Sequence, residues 1–169
     1  LQQKQPGVLE KVIVYDNDPT DGVDEVCAAH SVTRFREYRV PFIFSRAINT
    51  CMFYDNTKSD IIILNDDAIL QTENGLDLLH QEASLLSEYG IVSSSVVGFV
   101  GNPEQSHKNI PSIRPASLHT VVFIAVHISR EVINQVGPLD ERLVHYGWED
   151  NLYCLQARSL GYKLGIYDG

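Results

Sequence analysis

Residues 61–67 place four aliphatic side chains directly before a polar triplet that ends in two carboxylates, in the order Ile-Ile-Ile-Leu-Asn-Asp-Asp. A run this apolar is typical of a strand covered on both faces, as in a parallel sheet. Such a strand delivers Asp66 and Asp67 to the carboxyl edge of the sheet, where open α/β sheets bind ligands. The stretch therefore predicts an α/β fold with a ligand site beside these two carboxylates.

Strand and helix patterns alternate along most of the chain. Predicted strands cover residues 11–15, 34–38, 61–64, 91–100, 120–127 and 162–167. Predicted helices cover residues 23–30, 44–54, 75–89, 130–135 and 149–160. Because strands that alternate with helices form a mainly parallel sheet flanked by helices, we expect that architecture in one domain spanning residues 1–169. The proline-containing segment 101–118 predicts a long surface loop, which we interpret as a lid or an acceptor-specificity loop.

The acidic composition argues against a nucleic-acid partner. The formal net charge is −9 and the isoelectric point is about 5.0, which leaves no excess of Lys and Arg to neutralise phosphates. Three cysteines without a close pair predict buried, reduced thiols rather than a disulfide framework or a zinc site. No window reaches the roughly 18 apolar residues of a membrane span, and the start lacks the apolar core of a signal peptide. We therefore expect a cytoplasmic domain that a missing flank could tether to a membrane.

The first candidate site combines the triplet at residues 65–67 with Asp16, which ends the first predicted strand before a dense turn signal. Carboxylates at neighbouring strand ends suit Mg²⁺ or Mn²⁺, because these ions are usually held by one or two carboxylates together with substrate phosphates. A simpler interpretation is that the triplet only caps the following turn or helix. The residues alone leave both interpretations open.

The second candidate site is the run from Asp140 to Asp150. Glu149 and Asp150 start the last predicted helix, directly after Gly147 and Trp148. An aromatic wall beside a carboxylate is suited to hold a sugar or another acceptor next to a base. Two structural alternatives exist. The helix macrodipole favours acids at a helix start, and a single tryptophan is more often part of the core.

Several other polar residues are weaker candidates. Arg46, near the start of a predicted helix, could face a diphosphate, and so could Lys58, although surface charge is the commoner role for Lys58. His107, His119 and His145 show no ligand spacing, so structural roles are expected for them.

The order of several motifs matches that of a known enzyme family. Residues 14–22, Val-Tyr-Asp-Asn-Asp-Pro-Thr-Asp-Gly, resemble a strand followed by Asp-Asn-x-Ser-Thr-Asp-Gly. Residues 45–49 are similar to an Ala-Arg-Asn-type helix start, and residues 65–67 to a DxD motif. Residues 139–143 and 146–150 are similar to Phe-Asp-Glu-x-Phe and Gly-x-Glu-Asp segments. In these motifs, and over nearly its whole length, the chain resembles the nucleotide-sugar glycosyltransferases of the GT-A fold, in particular family 2.

The resemblance implies a GT-A, Rossmann-like fold with a mainly parallel sheet, and it gives roles to the residues on the donor side. Asp16 would contact the nucleobase, and Arg46 would belong to the nucleotide-binding helix start. Asp66 would approach the ribose, and Asp67 would bind Mn²⁺ or Mg²⁺. Asn65 stands where the DxD motif begins with Asp, a departure that leaves the metal ligand in place.

The resemblance also implies an inverting transfer, in which an acceptor hydroxyl attacks the anomeric carbon of a nucleotide sugar. A UDP-sugar is the favoured donor, and the acceptor is a glycan or another hydroxyl compound. Asp150 would be the catalytic base, and Glu149 is the second choice or an acceptor ligand. Trp148 would contact the acceptor.

Some features depart from the family pattern. Leu152 and Gln156 occupy positions where family members often carry Asp and Arg. The family's first strand should precede Leu1 and a metal-binding His often follows shortly beyond Gly169, so we expect a catalytic domain truncated at both ends. Two rival functions remain. One is a sugar-phosphate nucleotidyltransferase, and the other is a non-catalytic module of the same fold that binds nucleotide sugars or glycans.

Overall fold

The structure is a computed structural model that describes residues 9–20, 22–38, 40–54, 58–98, 102–117, 120–144 and 147–169. Its strands are β1 (Ile13–Asp16), β2 (Thr33–Arg36), β3 (Ile61–Leu64), β4 (Tyr89–Ser94), β5 (Ile113–Pro115), β6 (Ala125–Ile128) and β7 (Lys163–Tyr167). Its helices are α1 (Asp24–Ala29), α2 (Phe44–Met52), α3 (Gly75–Leu85), α4 (Arg130–Val136) and α5 (Glu149–Ser159), with a 3₁₀ turn at Pro103–Gln105. The predicted α/β fold class is confirmed. His119 and His145 lie outside the described residues.

The described strands form two sheets. β1 and β2 pair in parallel, and the other strands form a five-stranded sheet in the order β3-β6-β4-β7-β5. In the larger sheet β4 and β7 are parallel, whereas the β3–β6, β4–β6 and β5–β7 pairs are antiparallel. The prediction of a mainly parallel sheet is therefore wrong for this sheet. The described parts of the connections into β5 and β6 contain no α-helix, whereas parallel neighbours are usually joined by a helical crossover.

The aliphatic run on β3 is covered less completely than its composition predicts. Ile63 is buried, but Ile61 and Ile62 are half-buried and Leu64 is 41% exposed. Among the described strands β3 pairs with β6 alone, so it lies at an edge of the five-stranded sheet. Because β6 is antiparallel to both β3 and β4, those two strands run in the same direction. The turn that follows β3 therefore lies at the carboxyl edge of the sheet, as predicted.

Helices cover both faces of the five-stranded sheet. Ile91 and Val92 are adjacent on β4, and successive side chains of a strand point to opposite faces. Ile91 packs in the larger core cluster with Val132 of α4 and Tyr153 of α5, whereas Val92 packs with Leu79 of α3. The sheet is thus the middle layer of three. None of the described helices has the length and apolar character needed to cross a membrane.

The described part of the predicted loop, residues 102–117, is tied to the sheet. The Gln105 side chain is buried, and its amide exchanges two hydrogen bonds with the Val122 backbone, Nε2 to O at 3.0 Å and N to Oε1 at 2.6 Å. Asp168 accepts the backbone N–H of Lys108 at 3.1 Å. The segment also contains β5, which pairs with β7. These contacts describe a fixed part of the fold, so the interpretation of this segment as a lid is wrong for these residues.

Replacing Gly90 with Ala is expected to lower the free energy of unfolding by about 1–3 kcal/mol, the usual cost of adding an atom to a packed interior. A Cβ atom at Gly90 would overlap Cγ2 of Val132 and lie 2.8 Å from Cδ1 of Tyr162. Gly22→Ala is the control, since its Cβ would meet Thr20 Oγ1 at 3.6 Å, and its effect should stay within about 0.5 kcal/mol. Urea denaturation measures both values. Equal losses in the two variants would contradict the packing described around Gly90.

Candidate functional site

The turn after β3 presents two open carboxylates. Asn65 donates its backbone N–H to the carbonyl of Ile124 at 2.9 Å, and its own carbonyl accepts the N–H of Ala68 at 3.2 Å. The second bond closes a β-turn with Asp66 and Asp67 at its tip, and both residues are exposed. Neither carboxylate has a hydrogen-bond or ion-pair partner among the described residues. Their side chains therefore cap no described helix and are free to meet a ligand.

Helix α5 begins at Glu149 after two residues in the left-handed region, Gly147 with φ 107° and Trp148 with φ 81°. Glu149 is buried, and its Oε2 atom has no hydrogen-bond partner among the described residues. Asp150 is half-buried, and its Oδ1 atom accepts the backbone N–H of Asn151 at 2.7 Å. The helix start thus presents two acids, of which one is buried and the other partly open.

Burial raises the pKa of Asp150 above its ordinary value, and the neighbouring charge of Glu149 acts in the same direction. Backbone N–H groups of Asn151 and Phe123 oppose this shift without cancelling it. Burial disfavours the charged form of any carboxyl group. A carboxylate with a raised pKa binds a proton more readily, which is the property required of a general base.

A two-residue segment before β6 lies next to both acidic groups. The backbone N–H of Phe123 favours the ionised form of the nearby Asp150 carboxyl group and so lowers its pKa. The carbonyl of the next residue, Ile124, accepts a hydrogen bond from the backbone N–H of Asn65. The β3 turn and the start of α5 therefore lie along the same edge of the five-stranded sheet. The pair Asp66 and Asp67 and the pair Glu149 and Asp150 are more than 80 residues apart in the sequence, and the turn or helix start that carries each pair adjoins this segment.

Asp16 ends β1 as predicted, but its carboxylate is not free. Arg34 Nε donates to Asp16 Oδ2 at 2.9 Å, and the backbone N–H of Asp18 donates to Oδ1 at 2.9 Å. Arg34 also pairs with Asp24. Burial alone would raise the pKa of Asp16, but the hydrogen bonds and charge of Arg34 hold this pKa below its ordinary value. A ligand at this position would meet an ion pair rather than an isolated carboxylate.

Arg46 on α2 belongs to the same polar group as Asp16. Its Nε atom lies 3.0 Å from Glu37 Oε2, and its Nη2 atom donates to the carbonyl of Pro41 at 2.7 Å. The Glu37 carboxylate in turn accepts a hydrogen bond from the hydroxyl of Tyr15. The backbone N–H of Glu37 donates to the carbonyl of Asp16 at 2.9 Å. Among the described residues, no hydrogen bond or ion pair joins this group to the β3 turn. The structure therefore brings Asp16 and Arg46 near each other, as a second polar group.

Trp148 lies on the surface beside the two acids. It is 74% exposed, so the alternative that it is part of the core is wrong. A bulky residue with a positive φ is an uncommon conformation that costs free energy. Among the described residues, the hydrogen bond of Trp148 is made by its backbone carbonyl, which accepts the N–H of Leu152 at 2.8 Å, and its indole ring makes no hydrogen bond or ring contact. No polar or ring contact of the indole with the described part of the chain explains the strained backbone conformation.

Replacing Trp148 with Gly is expected to leave the melting temperature within about 3 °C of the parent value. Loss of the small buried part of the ring costs stability, but glycine relieves a left-handed conformation that costs an L-residue roughly 1–2 kcal/mol. Trp148→Ala keeps the strain and loses the ring, so it should melt below Trp148→Gly. Thermal denaturation by circular dichroism compares the two. A lower melting temperature for the glycine variant than for the alanine variant would contradict the left-handed assignment.

Asn49 belongs to the helix-start motif at residues 45–49, but the sequence predicts no role for its side chain. Asn49 on α2 is buried, and its Nδ2 atom donates to the Leu139 carbonyl and to Glu141 Oε1, both at 2.9 Å. Its Oδ1 atom accepts the Leu139 N–H at 2.8 Å. Asn49 thus ties α2 to the segment that leads towards α5. The sequence feature that could have indicated this role is an amide side chain on the apolar face of a predicted helix.

The donor atoms of the β3 turn fit a hard divalent cation. Mg²⁺ prefers oxygen ligands and is usually held by one or two carboxylates plus substrate phosphates. Asp66 and Asp67 supply such oxygens on an exposed turn, with space for a ligand to supply the rest. Among the described residues, the group of three possible metal-binding side chains lies elsewhere, at Asp60, His80 and His127. The β3 turn therefore fits a metal that arrives with a diphosphate.

The described fold is similar to that of a GT-A glycosyltransferase domain. The similarity is to the crystal structure of GalNAc-T7 with UDP, GalNAc and Mn²⁺, with a TM-score of 0.68 and 13% sequence identity. The match covers 95% of this chain and 36% of GalNAc-T7, so the chain spans about a third of that protein. No protein-family model and no curated protein sequence matches the chain. At this identity the likeness establishes the fold.

Proposed function

We propose that the chain is the catalytic part of a metal-dependent glycosyltransferase that moves a sugar from a nucleoside-diphosphate donor to an acceptor hydroxyl. The observation that carries the proposal is the segment at Phe123 and Ile124, which is hydrogen-bonded to the β3 turn through the Ile124 carbonyl and lies close to the Asp150 carboxyl group of α5. The glycosyltransferase with a similar fold was crystallised with UDP, GalNAc and Mn²⁺. A metal-binding turn beside a partly buried acid meets both requirements of sugar transfer.

On the donor side, Asp67 binds Mn²⁺ or Mg²⁺ and Asp66 approaches the ribose. The metal, when bound, would offset the negative charge that develops on the departing diphosphate. Asp16 contacts the nucleobase of a donor that we take to be a UDP-sugar, and Arg34 holds the Asp16 carboxylate in one orientation. Arg46 adds positive charge to this part of the donor site.

On the acceptor side, Asp150 accepts the proton of the attacking hydroxyl. Its raised pKa supports this role, because proton transfer becomes more favourable as the pKa of the base rises towards the working pH. Glu149 binds the acceptor, and the exposed indole of Trp148 packs against it. Attack from the face opposite the diphosphate inverts the configuration at the anomeric carbon. The acceptor is a glycan or another hydroxyl compound.

A donor-hydrolysis assay tests this function without knowledge of the acceptor, because water can replace the hydroxyl compound. The protein is incubated with a panel of UDP-sugars, and UDP release is measured with Mn²⁺ and again with EDTA. We expect release that depends on Mn²⁺ and is specific for one sugar. Glu73→Gln, which changes an exposed acid on the connection between β3 and α3, should behave like the parent.

Two results would overturn the proposal, one from this assay and one from a parallel assay that supplies UTP and sugar 1-phosphates and measures pyrophosphate. UDP binding without release from any donor, even with an acceptor library present, favours the non-catalytic module of the same fold. Pyrophosphate release from UTP and a sugar 1-phosphate, in place of UDP release, favours the nucleotidyltransferase.

A further inference from the structure

A second group of metal-binding side chains lies at the other end of β3. Asp60 directly precedes β3, His80 lies on α3, and His127 lies on β6. The distance from His127 Nε2 to Asp60 Oδ2 is 3.2 Å, and that from His127 Nε2 to His80 Nδ1 is 3.3 Å. The third distance, from His80 Nδ1 to Asp60 Oδ2, is 3.8 Å. Three potential ligand atoms from three elements thus converge on one point.

The surrounding structure holds two of the three side chains firmly. His127 is 1% exposed, within the layer between α3 and the sheet. Asp60 Oδ1 accepts the backbone N–H of Arg130 at 2.7 Å, which leaves Oδ2 facing the two imidazoles. Arg130 Nε also donates to the carbonyl of Ser59 at 2.8 Å, so the chain is fixed just before Asp60. His80 is about one-third exposed, which leaves an opening to solvent.

We propose that Asp60, His80 and His127 form a binding site for a transition-metal ion, with Zn²⁺ as the preferred occupant. Zn²⁺ lies about 2.0–2.2 Å from nitrogen and oxygen ligands in tetrahedral sites, which places ligand atoms roughly 3.3 Å apart. The two distances from His127 Nε2 match this spacing, and a small rotation of the exposed His80 ring brings the third close to it. Two imidazoles and one carboxylate favour Zn²⁺ over Mg²⁺ or Ca²⁺, which prefer oxygen ligands.

This site is distinct from the carboxylates of the proposed donor site. Asp60 and Asp66 lie beyond opposite ends of the four-residue strand β3, which alone spans roughly 13 Å at about 3.3 Å per residue. The three ligands come from α3, from β6 and from the residue before β3. A bound ion therefore joins α3 to the sheet through its side-chain ligands, and solvent supplies the fourth ligand. Its expected effect is on the stability of this layer.

The metal-free hydrogen bonds of the three groups use the same atoms, so the test must measure the ion itself. Tag-free protein is stripped with chelator and titrated with ZnCl₂ by isothermal calorimetry. We expect one Zn²⁺ per chain, and Co²⁺ should give the visible absorption of a four-coordinate site. Loss of an outer hydrogen-bond partner typically weakens metal binding by about 10–100-fold, so loss of a direct ligand in His80→Ala or Asp60→Asn should weaken it by at least about 100-fold.

Matched variants separate this site from other sites. His30→Ala removes an exposed histidine that directly follows α1 and should bind Zn²⁺ like the parent, as should Asp67→Asn. Saturating Zn²⁺ should raise the melting temperature of the parent by several degrees and leave His80→Ala unchanged. Absence of Zn²⁺ binding by the parent, or binding that survives both ligand variants, would overturn the proposal. Asp67 belongs to the proposed donor site and not to the Zn²⁺ site. Zn²⁺ binding that is retained in Asp67→Asn therefore tests the Zn²⁺ site separately from the glycosyltransferase proposal.

Discussion

Replacing Asp150 with Asn is expected to lower the rate of sugar transfer by about 10²–10⁴-fold, the usual contribution of a positioned general base. The amide keeps the size and most of the hydrogen bonding of the carboxylate but cannot accept the acceptor proton. Nucleotide binding should be unchanged, because the donor-side residues lie on other elements. UDP release at saturating donor, together with UDP affinity by calorimetry, separates the two effects. Glu25→Gln, an exposed acid on α1, is the control.

The raised pKa of Asp150 also fixes the sign of two pH effects. The active base is the ionised form, so the parent rate should rise with pH through this pKa and the residual rate of Asp150→Asn should not. Because the folded pKa exceeds the unfolded value, the folded state binds the proton more tightly. This contribution to stability is present below the ordinary pKa and is lost as pH rises through the raised one. Asp150→Asn should therefore be at least as stable as the parent at pH 7, and a clear loss of stability would contradict the assignment.

Replacing Asp67 with Asn is expected to abolish the metal-dependent part of nucleotide binding. In the parent, UDP at ~100 times its dissociation constant should add roughly 2.7 kcal/mol of stability when Mn²⁺ is present. For a chain of this length that is a shift of several degrees in melting temperature. The variant should show no such shift, because an amide is a weaker ligand for a hard cation than a carboxylate.

The control for this second prediction is Glu73→Gln, which removes one negative charge from the same connection without touching the β3 turn. It should keep the full shift. A UDP-dependent shift in melting temperature that persists in the parent with EDTA, or that persists in Asp67→Asn, would contradict metal-dependent binding through Asp67. A shift lost equally in both variants would indicate that net charge, rather than the Asp67 ligand, governs binding.

Features with local signals were predictable from the sequence. The β3 run and its turn appear at the predicted residues, because an apolar run followed by Asn and Asp determines a strand end within a few residues. Helix α5 begins at the predicted Glu149, and α4 begins at the predicted Arg130 after the cap residue Ser129. The Ser129 hydroxyl accepts the backbone N–H of Val132 at 3.3 Å, which is the expected capping bond.

Features that depend on long-range pairing were not predictable. An apolar strand shows the same pattern whether its neighbour is parallel or antiparallel. The antiparallel direction of β6 therefore could not be predicted from its residues. The ion pair of Asp16 with Arg34 depends on the pairing of β1 with β2. His80 and His127 are 47 residues apart and show no ligand spacing. The exposure of Trp148 depends on its left-handed backbone conformation. The preceding Gly147 is compatible with such a turn but does not determine it.

The most direct test of one shared site uses the fluorescence of Trp148, which is the single tryptophan of the chain. Trp148 adjoins the acids of α5, whereas Asp67 lies on the β3 turn, so a signal that links them requires both to face one ligand. UDP and Mn²⁺ added together should change the Trp148 emission saturably, and neither alone should do so. Asp67→Asn should abolish the change. An emission change of full size in Asp67→Asn, or none in parent protein that binds UDP with Mn²⁺, would contradict the account.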